Sequence, residues 1–184
     1  MKRESLKLYF VALVPTEPIC SQILALKKEF SHRFGSSAAL RSPPHITLQM
    51  PFQKQEEKEE LLVSSLDKLA RHHASFKLSL SNFGAFPPKV IYLNVDENAQ
   101  LNDLQKAVQK NAVSHWHIYP KANSRPFKPH ITVAFRDLKK PKFYAAWQEF
   151  DHREFKTEFI VYDVCLLKHN GKTWDVLHKS TLGK

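Results

Sequence analysis

The sequence predicts an α+β fold made of two similar halves. The tetrapeptide PHIT at Pro44–Thr47 returns at Pro129–Thr132, each time entering a short β-branched stretch. Segments on either side of each copy alternate between strand and helix periodicity in the same order: strand, helix, histidine strand, helix, strand. The spacing of the two series is similar, which indicates a duplicated unit. We therefore expect one bilobal domain over residues 1–184, with repeats at roughly 5–83 and 88–182.

The first half opens with an apolar strand from Leu6 to Val14, which Pro15 ends. Apolar residues at helical spacing then predict a helix that runs to about Phe34. After the first histidine strand, a second helix is predicted from Gln55 to about Ala70. The alternating stretch Phe76–Leu80 predicts the strand that closes this half, and a loop should follow over residues 83–88.

The second half repeats this order and adds a hairpin. A strand is expected at Val90–Val95, a helix from Gln100 to about Val113, and a shorter helix at Pro141–Phe150. The stretches Phe155–Leu167 and Thr173–Leu182 predict two long strands. Between them lies an Asn-Gly dipeptide, which suits a tight hairpin turn.

Each histidine strand has one polar and one apolar face, because alternate side chains of a strand share a face. In the first copy His45, Thr47 and Gln49 point one way, while Ile46, Leu48 and Met50 point the other way. The second copy divides in the same manner. Two such strands facing a cleft would bring two imidazoles and two hydroxyls into one small space.

That set of groups fits proton transfer on a bound phosphoryl group. Imidazole titrates near pH ~6.5, so one histidine can accept a proton while the other donates one. We predict that His45 and His130 act as base and acid, in an order that the sequence leaves open. The hydroxyls of Thr47 and Thr132 can bind the nonbridging phosphate oxygens.

A structural explanation competes with this one. A single His-x-Thr in a strand is most often a satisfied histidine beside a threonine chosen for its strand propensity. Duplication alone could also preserve the tetrapeptide without any chemistry. The functional interpretation is favoured because the polar pair of each copy lies opposite the apolar face.

At these residues the sequence resembles the two-histidine (2H) phosphoesterase superfamily, which includes bacterial 2′-5′ RNA ligase-like proteins and cyclic phosphodiesterases. Both of the family's His-x-Thr motifs are intact. The stretch Leu8–Leu13 is similar to the family's opening strand, and Arg125–His130 is similar to its approach to the second motif. In its detailed sequence the chain is closest to small bacterial members of the superfamily whose substrate is unassigned.

The resemblance implies a LigT-like arrangement, in which two antiparallel sheets flank a central water-filled cleft and the helices lie outside. It also implies metal-independent catalysis on a phosphodiester, often a 2′,3′-cyclic phosphate. The approach to the first motif, Leu40–Pro44, lacks the longer aromatic and asparagine-containing lead-in of the RNA ligase-like branch. This difference weighs against a ligase-type RNA substrate.

Further residues could contact a substrate. Arg125 and Lys128 flank the second motif and could hold a phosphate, although a solvated basic loop explains them equally well. Tyr119 could stack on a base. Phe83, Phe86 and Trp116 also lie in or beside loops, but for each aromatic taken singly packing is the simpler explanation.

No metal or cofactor site is expected. His72-His73 and His115-x-His117 lack the further Cys, His or carboxylate spacing that a zinc site needs. With four glycines the chain has no phosphate-cradling loop, so ATP is not expected. The two cysteines form no close-spaced pair, and the apolar N-terminal stretch is too short to span a bilayer.

The net charge and the motifs also indicate which partners to expect. A net charge of +10 favours a polyanionic ligand, so RNA or a nucleotide is the expected substrate, and no DNA-specific motif is present. We expect a cytoplasmic monomer without a membrane partner. The leading hypothesis is a phosphodiesterase that hydrolyses a 2′,3′-cyclic phosphate or a 2′-5′ linkage. The alternatives are a reversible 2′-5′ RNA ligase and an RNA- or nucleotide-binding protein without turnover.

Overall fold

A computed structural model describes residues 5–120 and 126–183, which form eight strands and four helices. In chain order these are β1 (Leu6–Leu13), α1 (Ile19–Phe34), β2 (Ile46–Gln55), α2 (Glu59–Ala70), β3 (Phe76–Phe86), β4 (Val90–Val95), α3 (Ala99–Trp116), β5 (His130–Ala134), α4 (Lys140–Phe150), β6 (Lys156–Val161), β7 (Asp163–His169) and β8 (Trp174–Thr181). Short 3₁₀ turns at Ala38–Arg41 and Glu56–Lys58 precede β2 and α2.

All eight strands belong to one antiparallel sheet in the order β6-β3-β4-β5-β2-β1-β7-β8. The predicted α+β class is confirmed. The two antiparallel sheets that we expected are the two four-stranded halves of this sheet. They meet between β2 and β5, where the register pairs Ile46 with Ile131.

The two sequence repeats exchange strands between these halves. β3 follows the first histidine strand in the chain, but it pairs with β4 and β6. β7 and β8 follow the second histidine strand, but β7 pairs with β1. Residues 5–83 and 88–182 are therefore not two separate halves in space. We propose that the chain is one bilobal domain whose repeats are interleaved.

The helices cover one face of the sheet. α1 contacts α4 and strands β5 and β6, whereas α3 contacts α2 and strand β2. The core between them includes the apolar sides of both histidine strands: Ile46, Leu48, Ile131 and Val133 are at most 2% exposed. The motif side chains point to the opposite face, which the helices leave uncovered. None of the helices in the described ranges is long and apolar enough to cross a bilayer.

Alternation in the first histidine strand ends at Met50, which is 66% exposed. β1 pairs Tyr9 with Phe52 and Val11 with Gln49, so two residues of β2 lie opposite one residue of β1. A second bulge adjoins it, because Val11 pairs with Gln49 while Ala12 pairs with Thr47; beyond both bulges Phe52 lies in the core like Leu48. The sequence pattern alone assigned Met50 to the apolar side, which was wrong.

Two other boundaries differ from the sequence prediction. The stretch over residues 83–88 was expected to be a loop, but β3 continues to Phe86 and pairs with β4. The long strand expected from Phe155 to Leu167 is divided at Tyr162 into β6 and β7. The division is needed because β6 pairs in one half of the sheet and β7 pairs in the other. The Asn-Gly hairpin is confirmed, with Gly171 at a φ of 103°.

Gly84 allows an aromatic ring to lie across β3. It is paired with Tyr92 of β4, and a Cβ atom at Gly84 would lie 2.4 Å from Cε2 of that ring. The Oδ1 atom of Asn94 would lie 2.7 Å from the same Cβ. A side chain at this position would therefore displace the ring.

We predict that Gly84→Ala lowers the free energy of unfolding by about 1–3 kcal/mol through overpacking against Tyr92. Tyr92→Leu removes the aromatic ring, so Gly84→Ala should cost clearly less in that background. A double-mutant cycle measured by urea denaturation checks this coupling. Strict additivity of the two substitutions would contradict the contact.

Candidate functional site

The pairing of Ile46 with Ile131 brings the two motifs together at the centre of the sheet. Extending this antiparallel register by one residue in each direction places His45 opposite Thr132 and Thr47 opposite His130. Residues opposite each other share a face, so all four side chains lie on the face that the helices leave uncovered. Each histidine thus has the threonine of the other motif as its cross-strand neighbour.

His45 is held by its own lead-in segment. Its Nδ1 atom lies 2.8 Å from the carbonyl oxygen of Pro43, and its ring lies 4.8 Å from the Phe10 ring, centroid to centroid. Burial lowers the pKa of His45 to about 4, the hydrogen bond to Pro43 opposes this shift, and the charges of Lys27 and His130 add to it. The imidazole is therefore neutral at neutral pH.

His130 is held in the same way. Its Nδ1 atom lies 2.7 Å from the carbonyl oxygen of Lys128, and its ring contacts Tyr92 at 4.9 Å and Phe86 at 5.4 Å between centroids. Burial is the main cause that lowers its pKa; the hydrogen bond to the Lys128 carbonyl opposes the shift and the Lys128 charge adds to it. The two motifs thus share a hydrogen bond from Nδ1 to the carbonyl two residues earlier.

This shared hydrogen bond sets the tautomer of both rings. A carbonyl oxygen can only accept, so a neutral imidazole must carry its proton on Nδ1 to make the bond. The Nε2 atom then keeps a free lone pair and can accept a proton. In this tautomer either neutral imidazole can accept a proton at Nε2, and either protonated imidazole can donate one.

The hydroxyls of Thr47 and Thr132 are available to a ligand. Both residues are partly exposed, and neither side chain has a hydrogen-bond partner within residues 5–120 and 126–183. β-Branching limits the rotamers of each side chain, so the hydroxyls are held in a narrow range of directions.

Aromatic side chains and one lysine line the site. Lys128 is exposed, and its Nζ atom lies 5.1 Å from the Phe86 ring centroid and 5.5 Å from that of Tyr92. These cation–π contacts hold the ammonium beside His130. On the other side, Phe10 packs edge-on against Trp174 at 4.7 Å between centroids.

Of the other residues predicted to contact a substrate, only one lies beside a histidine in the described part of the chain. Arg125 lies outside the described residues. Tyr119 is 69% exposed beyond the end of α3, and none of the described ring contacts joins it to either histidine. Phe83 and Trp116 are buried in the core, whereas Phe86 lies beside His130.

Sequence reasoning missed three residues of the site. Phe10 and Tyr92 are paired with the histidine rings, and alternation along β1 and β4 could have placed them on the motif face. The third is Lys27, whose charge acts on His45 from beneath the sheet. Helical spacing could have found it, because Lys27 lies on the same stripe of α1 as Ile23 and Phe30.

The histidines outside the motifs lie elsewhere. His72 and His115 line a cavity of about 260 Å³ between α2 and α3, together with Lys68 and Asn111. Within the described ranges, no three His, Cys, Asp or Glu side chains are grouped as metal ligands.

Comparison with known proteins agrees with the fold. Residues 15–173 match the family model of the 2′-5′ RNA ligase superfamily. A candidate phosphoesterase of Oceanobacillus iheyensis is 28% identical over 96% of this chain and 98% of its own length. A candidate phosphoesterase of a Geobacillus species is 33% identical over 71% of this chain and 69% of its own. The structure of E. coli LigT complexed with 3′-AMP is 20% identical, with a TM-score of 0.71 over 98% of this chain and 100% of that chain.

The lowered pKa of His45 predicts a pH-dependent loss of stability. Between its unfolded value of about 6.5 and its folded value of about 4, the unfolded chain binds a proton that the native protein does not. Stability therefore falls as the pH drops through this window. We expect the wild type to lose about 2 kcal/mol more than His45→Gln between about pH 7.5 and pH 4.5, in urea denaturation. His32→Gln, at an exposed position of α1, is the control; equal pH slopes for wild type and His45→Gln would contradict the burial of a neutral imidazole.

Proposed function

This chain belongs to the 2′-5′ RNA ligase superfamily, and we propose that it is a phosphodiesterase that hydrolyses a 2′,3′-cyclic phosphate or a 2′-5′ phosphodiester of RNA or a nucleotide. The observation that carries the proposal is the central β2–β5 pairing, which gathers His45, His130 and both threonines on one open face. Phosphoesterases of similar sequence support the general activity. The proposal includes the cytoplasmic location and the monomeric state that the sequence predicts.

The two histidines divide the proton transfers. The Nε2 atom of one accepts a proton from water as the water oxygen attacks phosphorus. The other, in its protonated form, gives a proton to the leaving oxygen as the P–O bond breaks: the 2′ or 3′ oxygen of a cyclic phosphate, or the 2′ or 5′ oxygen of a 2′-5′ linkage. Each turnover leaves the two protonation states exchanged, and solvent restores them. General acid–base catalysis of this kind is typically worth on the order of 10²–10⁴-fold.

Binding of the anionic substrate makes one histidine an acid. Both rings have a lowered pKa in the free protein, so both are mainly neutral at neutral pH. An anionic phosphate between them favours the protonated form and raises the pKa of the nearer imidazole. The acid is therefore generated on binding, when it is needed.

The remaining groups hold the phosphate and the nucleoside. Thr47 and Thr132 donate hydrogen bonds to the nonbridging oxygens, where charge develops during attack. Lys128 adds a positive charge at the rim beside His130. Arg125 and Tyr119 stay secondary candidates for contacts beyond the phosphate. The resemblance to 2H enzymes favours a reaction that needs no metal or organic cofactor.

The specific alternative is a protein that binds RNA or a nucleotide without turnover. The net charge of +10 and the aromatic rings beside both histidines favour such binding. Reversible ligation is the same chemistry in the opposite direction, with the two histidine roles exchanged. Bell-shaped turnover near neutrality supports the enzyme, whereas salt-sensitive RNA binding that survives loss of both histidines supports the binding protein.

We predict that His45→Ala and His130→Ala each lower kcat at least about 10²-fold on nucleoside 2′,3′-cyclic phosphates or 2′-5′ oligonucleotides. The assay follows product formation by chromatography, with EDTA and without added metal. His115→Ala, an exposed position at the end of α3, is the matched control and should keep wild-type rates. Undiminished turnover in both motif variants would contradict the proposed function.

The threonines give a separate prediction. Thr47→Val and Thr132→Val keep the shape and the strand propensity, but they remove a donor to the phosphate. We expect each to lower kcat by about 10²-fold, with unchanged unfolding midpoints. Steady-state kinetics and urea denaturation on the same preparations check both parts. A normal kcat in both variants would remove the threonines from the mechanism.

A further inference from the structure

Lys27 is a charged side chain buried beneath the first motif. It lies on the core-facing side of α1 and is 1% exposed. Its Nζ atom donates hydrogen bonds to the carbonyl oxygens of Ala39 and Ser42, each at 3.0 Å. Within the described ranges, no carboxylate lies within ion-pair distance of this ammonium. A buried lysine without an ion pair is uncommon, because removing the charge from water costs free energy.

The two carbonyls belong to the segment that carries His45. Ala39 lies in the 3₁₀ turn Ala38–Arg41, and Ser42 directly follows that turn. Pro43 and Pro44 come next, and neither has an N–H group that could anchor the backbone. The carbonyl of Pro43 is the group that accepts the hydrogen bond from Nδ1 of His45. The position of that acceptor thus depends on the turn that Lys27 ties down.

We propose that Lys27 is a positioning residue for His45: by binding the carbonyls of Ala39 and Ser42, it fixes the Pro43 carbonyl and so holds the His45 ring with Nε2 towards the open face. This inference rests on the proposed function for its catalytic consequence. Its structural content, which concerns the tautomer and orientation of one ring, can be measured without any turnover.

The charge of Lys27 supports the same state of His45 as the hydrogen bonds that Lys27 donates: a ring with Nε2 free. Burial lowers the pKa of Lys27 to about 8, so the amine stays mainly protonated at neutral pH. The groups that interact with it or with His45 are Cys20 on the same helix and His130 on β5. The ammonium favours the neutral form of His45, the form that can hold a proton on Nδ1 and leave Nε2 free.

The second motif has a different support. The carbonyl that holds His130 belongs to Lys128, whose own side chain is exposed and lies over Phe86 and Tyr92. His130 therefore makes the same Nδ1 hydrogen bond without a buried ammonium beneath its lead-in in the described part of the chain. This difference makes His130 an internal reference for any change at His45.

The test is long-range ¹H–¹⁵N spectroscopy of ¹⁵N-histidine-labelled protein, comparing wild type with Lys27→Met. We expect wild-type His45 and His130 to show the pattern of a proton on Nδ1. In Lys27→Met, His45 should become a mixture of tautomers, while His130 stays unchanged. The kcat for cyclic phosphate hydrolysis should fall about 10–100-fold, as for other residues that orient an active group, with little change in KM.

Leu26→Ala is the matched control, because it opens the same helix face without touching the two carbonyls. It should lower stability but leave the His45 tautomer as in the wild type. Wild-type protein gives a measurement that needs no variant: the His45 ¹⁵N shifts should show a step near pH 8 as Lys27 loses its proton, and those of His130 should show a smaller one or none.

An unchanged His45 tautomer in Lys27→Met, or wild-type His45 signals without the pattern of a proton on Nδ1, would overturn the inference. A tautomer change in a protein that hydrolyses no cyclic phosphate or 2′-5′ linkage would leave the positioning role intact and reject the proposed function. Full hydrolysis together with an unchanged tautomer would leave the proposed function intact and reject the positioning role.

Discussion

The antiparallel pairing of Ile46 with Ile131 determines where every other group of the site lies, because this described pair joins the two halves of the sheet. It is made by two β-branched residues whose side chains are fully buried. On the opposite face, the same pairing places each histidine across from the threonine of the other motif. A shift in register by one residue would turn the imidazoles into the core and the isoleucines to the open face. The packing of the apolar face therefore fixes the polar one.

The two histidines are equivalent in their hydrogen bonds but not in their surroundings. Each ring has its Nδ1 atom within hydrogen-bond distance of a carbonyl two residues earlier, which leaves Nε2 free for a ligand. His45 sits against Phe10 above a buried ammonium, whereas His130 sits among Phe86, Tyr92 and an exposed lysine. The shared hydrogen bond, together with the strand pairing, is the basis for proposing that two copies of one motif form a single site. These different surroundings give each histidine its own electrostatic environment, which would suit the proposed division into one base and one acid.

Much of the fold could be predicted because it depends on local pattern. The spacing of apolar residues predicted four helices, and alternation in the motifs predicted which side chains are buried at Ile46, Leu48, Ile131 and Val133. The exchange of strands could not be predicted, because periodicity says nothing about the partner of a strand. The bulge that exposes Met50 also depends on pairing, since it exists only relative to β1. Lys27 was missed for a related reason: its partners are backbone carbonyls, which are identical at every residue.

A single phosphate site formed by the two motifs can be detected by titrating ¹⁵N-histidine-labelled wild-type protein with 3′-AMP. We predict that the Nε2 signals of His45 and His130 shift together with a single dissociation constant, and that the pKa of at least one ring rises in the complex because of the phosphate charge. A response confined to one histidine, or two responses with different dissociation constants, would contradict a shared site.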